Sequence, residues 1–363
     1  MHRISIVHYQ PLEGYPPVMN IINDLSELEN NKLFVITTNG VNNWFSNKNT
    51  FIKRIAFNSH SSIKRYFGFI QFNLIGTYFL FKSKPQTILT YETYSLFPVF
   101  VYSTFCKTEK IIIHYHEYIS PEEIATSSLY FKFLCYLEKK IYNRNVFVSH
   151  TNQERMDLFL NQHPTINKTN TIISPNYPPS NWYKYARENR IEKKIDIIKL
   201  VHVGALSLES MYVKEIVEWV LNQNGKYILH FYTDNIEPET KKYLESIKSE
   251  SINLFGSINY FDLPKILINY DIGLTIYKGH IPNHIYSVPN KVYEYLACGL
   301  QVWYSDKLIS TKKFVETEKI EGCYEVDFSK INIEENINNS WNDNIDFLKS
   351  IKTNEIIKLI KMN

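Results

Sequence analysis

The sequence predicts an α/β protein of two doubly wound domains, each a parallel sheet covered by helices. Short strand-like runs alternate with helical stretches through both halves of the chain, as βαβ units require. The length of 363 residues exceeds that of one ordinary domain. A charged stretch without apolar periodicity, residues 178–195, separates the two series and is the expected linker. We therefore place domains at 1–180 and 196–345, with a terminal helix at 346–363.

The predicted strands of the first half are short apolar runs, and its helices show a longer apolar spacing. Lys110–His114 is β-branched, as expected for a strand buried on both faces. Apolar residues recur every fourth position over Ser127–Tyr142 and predict a helix there. The other elements are strands at Ile4–His8, Leu33–Thr37, Thr87–Thr90, Asn145–Ser149 and Ile172–Ser174, with helices after Pro17 and at Gln153–Leu160.

The second half repeats this alternation. Its predicted strands are Lys199–Val203, Tyr227–Tyr232, Ile252–Phe255, Asp271–Thr275 and Gln301–Tyr304. Its predicted helices are Val213–Leu221, Pro238–Lys248, Phe261–Asn269, Lys291–Ala297 and Phe347–Lys361. Parallel sheets bind ligands at the carboxyl ends of their strands. We therefore expect functional residues in the loops that follow strands, in a cleft between two facing domains.

Composition and charge exclude several classes of protein. Lys and Arg total 40 against 37 Asp and Glu, so the net charge of +3 argues against a nucleic-acid partner. The 4 Cys form no CxxC pair, so we expect buried thiols in place of disulfides or a zinc site. No signal peptide and no run of about 18 apolar residues is visible, which predicts a cytoplasmic protein without a transmembrane helix. Aromatic residues reach 15%, which suggests a surface that meets lipid or sugar.

The sharpest local pattern is PNKVYEYLACG, from Pro289 to Gly299. Proline suits the start of a helix and glycine its end. A helix N-terminus offers N–H groups and positive dipole charge, and Lys291 adds a full charge in the first turn, where a bound phosphate would offset the unfavourable dipole interaction. Glu294 shares a helix face with Lys291. The pair therefore suits either a nucleoside diphosphate, through phosphate and ribose, or an ordinary surface ion pair.

This motif resembles the donor site of the GT-B glycosyltransferases, in particular the large family-four group of bacterial enzymes. The resemblance extends through pieces in the same order, namely HYHEY, LEKKIY, VFVS, IISPNYPP, LVHVGAL and INLFGSINYFDLPKILINYDIGLTIY. It implies two Rossmann-like domains facing a central cleft. The implied activity is transfer of a sugar from a nucleoside diphosphate to a glycan or lipid-linked saccharide in bacterial surface polysaccharide synthesis. Family four is retaining, so retention is the first expectation.

The resemblance assigns donor binding to the second domain. Glu294 would hold the nucleotide ribose, while Lys291, the start of its helix and the Gly204 turn would cradle the diphosphate. Lys214 matches a family lysine, and Tyr277 lies on a predicted cleft loop where its ring can stack on the donor. The expected donor-binding residues are Gly204, Lys214, Tyr277, Pro289, Asn290, Lys291 and Glu294.

The chain departs from the family pattern at two places. Ala205 and Leu206 stand where the family has an arginine, and Lys278 or His280 is a candidate replacement. Tyr286 stands eight positions before the motif glutamate, where the family often has another glutamate near the donor sugar. This second departure leaves the sugar and the stereochemical course open.

His116 and Glu117 follow the β-branched strand of the first domain and are the expected catalytic residues. Histidine can act as a general base near neutral pH or hydrogen-bond a donor hydroxyl. Glu117 could deprotonate an acceptor hydroxyl or orient His116, and Glu92 is its rival as base. Inversion with one of these three as base therefore stays open beside retention. His114 is expected to point to the opposite side.

Acceptor binding is expected at Glu13, Gly14 and Tyr15, after the first strand, and at Glu92, after Thr87–Thr90. A turn shaped only by glycine and two prolines explains the first of these loops equally well. Residues 63–84 mix basic and aromatic side chains, which indicates either a core helix or peripheral contact with an anionic membrane on the inner face of the plasma membrane. No Asp-x-Asp motif is present, and helix ends with lysine can stabilise a leaving diphosphate, so we expect no metal and no cofactor.

Two other functions stay open. The same fold hosts nucleotide-sugar 2-epimerases, which act on the donor itself. The missing arginine and glutamate also fit a non-catalytic subunit that binds a glycan or a nucleotide. A dinucleotide dehydrogenase is excluded, because no GxGxxG follows a strand.

Overall fold

The computed structural model describes residues 2–40, 42–56, 62–144, 146–190, 197–331 and 354–362. The chain divides into two compact units, one of Met1–Asn176 with Thr353–Asn363 and one of Tyr177–Lys352. Each unit is built around one parallel sheet with helices on its faces, which confirms the predicted α/β class of two doubly wound sheets.

The described residues of the first unit form seven parallel strands. The strands are β1 (His2–His8), β2 (Asn31–Thr38), β3 (Thr50–Ile55), β4 (Thr87–Tyr91), β5 (Lys110–Tyr115), β6 (Phe147–His150) and β7 (Thr171–Ile173). The helices are α1 (Pro16–Ser26), α2 (Ser62–Ser83), α3 (Leu96–Phe105), α4 (Pro121–Thr126), α5 (Leu129–Tyr142), α6 (Gln153–Gln162) and the last helix of the chain, α14 (Glu355–Lys361).

The strand order of this sheet is β3-β2-β1-β4-β5-β6-β7. The chain reverses direction across the sheet between β1 and β4, and loops that diverge at such a switch point leave room for a ligand. Residues of α2, α3, α5 and α6 join one hydrophobic cluster on the sheet. By contrast, α14 packs against α1 and β7.

The last helix is fastened to the first unit by polar contacts as well as apolar ones. Lys110 Nζ donates hydrogen bonds to the carbonyls of Leu359 and Met362, at 2.8 and 3.0 Å. Ser174 donates to Asn354 at 2.9 Å. The terminal helix thus lies on the first unit over its described residues, and the earlier part of its predicted range, 346–353, lies outside the described residues.

In the described part of the second unit, six parallel strands form the sheet. The strands are β8 (Ile198–Val203), β9 (Tyr227–Tyr232), β10 (Ile252–Phe255), β11 (Ile272–Thr275), β12 (Gln301–Ser305) and β13 (Cys323–Val326). The helices are α7 (Asn181–Asn189), α8 (Val213–Leu221), α9 (Pro238–Ser246), α10 (Leu263–Leu267), α11 (Pro282–Ile285), α12 (Asn290–Ala297) and α13 (Ile309–Glu318). The order β10-β9-β8-β11-β12-β13 places a switch point between β8 and β11.

The predicted linker, 178–195, is wrong over most of its described part. It contains α7, whose Trp182, Tyr183 and Ala186 are buried. These residues fall on one helix face, but nine residues are too few to reveal a repeat among so many charges.

The sequence prediction also omitted β3, α3, α4, α11, α13 and β13. The residues of α3 are apolar on all sides, which hides helical periodicity, and β3 alternates poorly because it lies at the edge of its sheet.

The four cysteines are free thiols, of which Cys135 and Cys298 are buried and the other two partly buried. Within the described ranges, no three His, Cys, Asp or Glu side chains group together as metal ligands. No helix in the described part of the chain combines the length and apolarity needed to cross a membrane.

Candidate functional site

The PNKVYEYLACG motif forms a short helix of the second unit. Pro289 precedes α12 with φ −58° and ψ 141°, and Gly299 follows its end with φ 74°. Both residues therefore have the predicted roles at the helix ends. No described side chain caps the N-terminus. The first turn, which begins at Asn290, thus presents backbone N–H groups and the positive end of the helix dipole.

Tyr295 holds α12 against the sheet. Its ring is completely buried, and its hydroxyl accepts a hydrogen bond from the backbone N–H of Val203 at 3.0 Å. A Cβ at Gly273, in β11, would approach the ring carbons to 2.2 Å. Glycine is therefore required for this packing, which places α12 at the ends of β8 and β11, beside the switch point.

Lys291 and Glu294 form an ion pair on one face of α12, with Nζ 2.5 Å from Oε2. The Glu294 side chain is only 2% exposed and that of Lys291 is 23% exposed. Gly204 follows β8 with φ 129°, and a Cβ there would lie 4.0 Å from the Cε of Lys291. The glycine turn, the ammonium group and the helix start are thus neighbours. The burial of Glu294 distinguishes this pair from an ordinary surface ion pair.

The structure does not bring Lys214 to this group. Its side chain lies on the exposed face of α8 and pairs with Glu218 at 3.7 Å. Lys278 donates a hydrogen bond to the carbonyl of Leu208 at 2.7 Å, in the loop between β8 and α8. His280 lies 2.7 Å from the Glu209 carbonyl of the same loop. Both candidate replacements for the missing arginine therefore contact the loop in which the arginine is absent.

The two tyrosines of this region lie around α11. The ring of Tyr277 packs on that of His284, with centroids 5.0 Å apart. Tyr286, which replaces the family glutamate, is the first residue after α11. Its aromatic side chain supplies no carboxylate at this position.

A second polar site lies in the first unit, at the carboxyl ends of β1, β4 and β5. It is a cavity of about 170 Å³. The side chains that line it include His8, Tyr15, Tyr91, Glu92 and Glu117. Two carboxylates and several aromatic rings at the edge of a parallel sheet, next to its switch point, fit a site for a hydroxylated ligand.

Glu92 is strained and chemically unusual. Its backbone has φ 59° and ψ 161°, a region that side-chain-bearing residues rarely occupy. Its Oε1 accepts a hydrogen bond from the backbone N–H of His116 at 2.7 Å. Burial, together with the nearby charge of Glu117, raises the pKa of Glu92 to about 8. The group therefore exchanges its proton near neutral pH, which suits acid–base chemistry.

His116 is buried behind this cavity and does not line it in the described structure. Its ring stacks on that of Tyr91, with centroids 5.2 Å apart, and its Nδ1 lies 3.2 Å from Asn176 Oδ1. Burial lowers the pKa of His116 to about 4, so the ring is neutral at pH 7. With the Asn176 oxygen facing Nδ1, the proton resides there, and Nε2 is a buried acceptor without a hydrogen-bond partner among the described residues.

Glu117 and His114 occupy different environments. Glu117 is exposed at the mouth of the cavity. The expectation that His114 points away from His116 is wrong, because the two rings lie 4.7 Å apart and His114 Nδ1 is 2.8 Å from Ser149 Oγ. Residues two apart on a strand share a face, and this periodicity persists through the end of β5.

The three residues of the predicted acceptor loop have different surroundings. Tyr15 lines the cavity, and its ring lies 4.6 Å from that of His8. Glu13 instead accepts hydrogen bonds from Arg54, at 2.7 Å, and from the Phe45 backbone, at 2.9 Å, so it fastens the loop to β3. A Cβ at Gly14 would meet no atom within 4 Å. Packing within the described part of the protein therefore does not require glycine at this position, and the acceptor role of Gly14 stays a prediction.

Sequence reasoning missed Arg155, which is 6% exposed and donates to the backbone carbonyl of His116 at 2.5 Å. It also gave Asn176 no role, although this residue stands in the IISPNYPP segment. The available signal for Arg155 was its position three residues after Asn152, the cap of α6, which accepts a hydrogen bond from its N–H at 2.9 Å. A long charged side chain beside a buried strand must find hydrogen-bond acceptors there, and buried backbone carbonyl groups provide them.

Comparison with known proteins gives the fold. No family model and no curated protein matches the chain. Among solved structures, it is similar to trehalose-6-phosphate synthase from E. coli bound with UDP-2-fluoro glucose, with a TM-score of 0.69 at 10% identity over 100% of this chain and 99% of that one. This chain has the GT-B fold.

Two other structures bear on the GT-B fold of this chain. WaaG, a glycosyltransferase involved in lipopolysaccharide biosynthesis, superimposes with a TM-score of 0.59 at 12% identity, covering 99% of this chain and 92% of that one. UDP-GlcNAc 2-epimerase from Methanocaldococcus jannaschii superimposes with a TM-score of 0.56 at 15% identity, covering 99% and 100%. At these identities the likeness concerns the fold alone.

Proposed function

We propose that this GT-B protein is a glycosyltransferase that moves a sugar from a nucleoside diphosphate to a hydroxyl of a glycan or lipid-linked saccharide in surface polysaccharide synthesis. The observation that carries the proposal is the buried Lys291–Glu294 pair beside the Gly204 turn, at a helix N-terminus without a side-chain cap. The neighbours that bind or act on UDP-sugars support a UDP-linked donor, and WaaG supports a saccharide acceptor.

Each part of the donor site has a stated task. The N–H groups at the start of α12 and the ammonium of Lys291 receive the diphosphate, because both concentrate positive charge there. Glu294 accepts hydrogen bonds from the ribose hydroxyls. Since Lys291 now neutralises Glu294 at 2.5 Å, the ammonium would be shared between the carboxylate and the phosphate when donor binds.

The reaction forms a bond between the acceptor oxygen and the anomeric carbon, while the bond from that carbon to the diphosphate oxygen breaks. The leaving diphosphate keeps the electron pair, and the same positive groups stabilise its charge. In the retaining course the acceptor proton passes to the leaving diphosphate. In the inverting course it passes to a carboxylate, for which Glu92 and Glu117 are the candidates. His116, with its Nε2 buried behind them, positions Glu92 through its backbone N–H.

Two properties of the reaction are part of the proposal. Retention of anomeric configuration stays the expected course, and proton NMR of the fresh product distinguishes it from inversion. Catalysis is expected to need no metal, because Lys291 and the helix dipole carry the positive charge. Full activity after treatment with EDTA supports this point, and loss restored by a divalent cation contradicts it.

Nucleotide binding gives the first test. Thermal-shift screening with UDP, GDP, ADP and CMP should select one base, and we expect UDP. Replacing Lys291 by Ala should then weaken UDP binding by roughly tenfold to a hundredfold, since a charge-assisted contact with phosphate is lost. Glu294→Gln should weaken it less, because the amide keeps one acceptor oxygen.

Lys214→Ala is the matched control for this titration. It removes a lysine of the same unit that pairs with Glu218 on the solvent face, so UDP affinity should stay within about twofold. If Lys214→Ala and Lys291→Ala weaken UDP binding equally, or if no nucleotide binds, the proposed donor site is wrong.

Nucleotide-sugar epimerisation is the second candidate. The full-length similarity to the UDP-GlcNAc 2-epimerase supports it. The enzyme incubated with donor and no acceptor discriminates between the two. A new epimer in that mixture would replace the transferase proposal, whereas donor that stays unchanged until a saccharide acceptor is added supports it.

A non-catalytic subunit is the remaining alternative. It predicts UDP or glycan binding without turnover, and a cellular glycan profile that stays unchanged in Glu294→Ala and Glu92→Gln strains. An altered profile in either strain excludes it.

A further inference from the structure

An uncovered apolar surface runs along α2 in the first unit. Five exposed side chains repeat at steps of three or four residues, so they form one stripe: Phe67, Ile70, Leu74, Tyr78 and Phe81. The exposed fraction reaches 66% at Leu74 and 60% at Tyr78. The opposite face of the same helix, with Phe72 and Leu80, is completely buried in the core of the unit. The helix is thus apolar on both faces while only one is covered.

The surface continues onto α5. Leu129, Phe133 and Tyr136 form a second stripe at helical spacing, with exposed fractions of 85%, 44% and 56%. Tyr130 joins the two helices, because it accepts a hydrogen bond from Asn73 of α2 at 2.6 Å. We call these eight side chains of α2 and α5 the apolar face. Its extent exceeds the scattered single residues that a protein surface normally shows.

The exposed charges on the described parts of α2 and α5 have one sign, whereas the neighbouring α4 has one exposed acid, Glu122. The sequences of α2 and α3 contain no acidic residue, and the acid of α5, Glu138, is 5% exposed. Lys82, Lys139 and Lys140 are exposed on α2 and α5. Lys140 Nζ lies 5.3 Å from the ring centroid of Tyr136. Aromatic rings are therefore next to cations, without an exposed carboxylate on the described parts of α2, α3 and α5.

We infer that the apolar face docks on an anionic lipid bilayer. The boundary between headgroups and acyl chains accepts Phe, Leu and Tyr side chains, while anionic headgroups pair with lysines at the rim. A second copy of this chain fits less well, because a symmetric contact would bring like-charged lysine rims together. Docking is peripheral and does not depend on the proposed sugar transfer.

The test uses the full chain and vesicles of two compositions, phosphatidylcholine alone and equal parts phosphatidylcholine and phosphatidylglycerol. We expect co-sedimentation with the anionic vesicles and at least about tenfold weaker partitioning without the anionic lipid. The double variant Leu74→Ser/Tyr78→Ser should reduce partitioning by roughly tenfold or more, since two apolar side chains no longer enter the interface. Lys139→Glu/Lys140→Glu should reduce it similarly, as high salt should.

The matched control is Phe255→Ser/Tyr324→Ser, two side chains of the second unit that are 41% and 38% exposed. This variant should bind vesicles like the unchanged protein. The docking proposal is overturned if the protein does not co-sediment with anionic vesicles. It is overturned equally if the control and the Leu74→Ser/Tyr78→Ser variant lose binding to the same extent. It is also overturned if sedimentation velocity shows a dimer that only Leu74→Ser/Tyr78→Ser dissociates, because the face would then join two copies. UDP titration of each variant, carried out separately from the vesicle measurement, shows whether the variant is folded and its donor site intact.

Discussion

At the scale of single residues, the first-unit cavity depends on one strained carboxylate. Glu92 combines a positive φ of 59° with a hydrogen bond to the next strand and a pKa raised to about 8. Strain and burial both cost free energy of folding, on the order of 1–3 kcal/mol each. Such a cost at the edge of a ligand cavity fits the acid–base role proposed for Glu92.

Glu92→Gln tests whether the carboxylate lowers the stability of the fold while it supports activity. The folded pKa of about 8 lies above the ordinary 4.5, so the stability linked to this proton is fully present below pH 4.5 and is lost as pH rises toward 8. Glutamine keeps the acceptor oxygen but not the titration. At about pH 8 we expect the variant to be more stable by on the order of 1–3 kcal/mol, and transfer activity to fall by roughly a hundredfold or more.

Urea unfolding of both proteins at about pH 5 and about pH 8 measures the first effect. A difference in stability that stays constant between these two pH values contradicts the raised pKa. Unchanged turnover in the variant removes Glu92 from the candidate bases and leaves Glu117.

Sequence reasoning located most of these residues but not their contacts. The Lys291–Glu294 pair was predictable because spacing along a helix is local and regular. The environment of Glu92 was not, since it depends on a backbone angle and on the N–H of a residue in another strand. The orientation of Lys214 away from the donor motif depends on the rotation of α8, which short motifs do not specify.

At the scale of elements, the position of α12 depends on the absence of a side chain in the strand beneath it. The Tyr295 ring occupies the space above Gly273, and its hydroxyl receives the last N–H of β8 from Val203. The helix end that is proposed to bind diphosphate is therefore set by core packing, not by loop conformation. A rigid element provides a more precise anion site than a loop does.

Gly273→Ala should show how tightly this packing is set. A methyl group 2.2 Å from buried ring carbons must displace Tyr295. We expect a loss of about 2–4 kcal/mol in the free energy of unfolding, measured with urea, together with weaker UDP binding. Gly14→Ala is the control, because its Cβ meets nothing within 4 Å. It should stay within about 0.5 kcal/mol of the unchanged protein.

Equal stability of Gly273→Ala and the unchanged protein would show that α12 can move away from β11. Loss of transfer activity in Gly14→Ala, with stability retained, would support the predicted acceptor role of that glycine.

The element order was largely predictable, because strands and helices in a doubly wound sheet differ in hydrophobic period. Three of the exceptions share a physical cause. α3 is apolar on all sides, α7 spans only nine residues, and β3 is an edge strand, so none of the three has a clear period. The face that α2 leaves uncovered was also ambiguous, since its apolar residues fit both a core helix and a membrane surface.

At the scale of the whole molecule, both units bury neutral histidines. Burial holds the pKa of His8 at about 3 and those of His116 and His202 at about 4, and it lowers the pKa of His114 and His150 as well. Three acids shift the opposite way: burial raises the pKa of Asp24, Glu92 and Glu138 to about 6, 8 and 7. Burial also lowers the pKa of His163 to about 4. The shifted histidines therefore outnumber the shifted acids, and the unfolded chain binds more protons than the folded chain in mild acid.

The protein should therefore lose stability below its neutral range. As pH falls through 6.5, the ordinary pKa of histidine, the unfolded chain takes up protons that the buried histidines of the folded chain do not bind. We expect the free energy of unfolding to fall by about 3 kcal/mol per pH unit between about pH 6.5 and about pH 5. Urea unfolding across this interval measures the slope.

His150→Phe provides the internal comparison. Both ring nitrogens of His150 are buried without a hydrogen-bond partner in the described structure, so the replacement removes a titrating group and no hydrogen bond. The slope of the free energy of unfolding against pH should decrease by the contribution of about one proton. An unchanged slope would mean that His150 titrates normally in the folded protein.

The placement of α14 has a consequence for the order in which the chain is made. Three side chains of this helix are buried on the first unit: Ile356, Ile357 and Ile360. Lys110 donates hydrogen bonds to backbone carbonyls at the end of the helix, and Ser174 donates one to the side chain before its start. During synthesis, all the described strands of the second unit leave the ribosome before α14 does. The first unit is thus completed only after the described strands of the second unit have been made, and until then its α1 and β7 surface is open to chaperones and proteases.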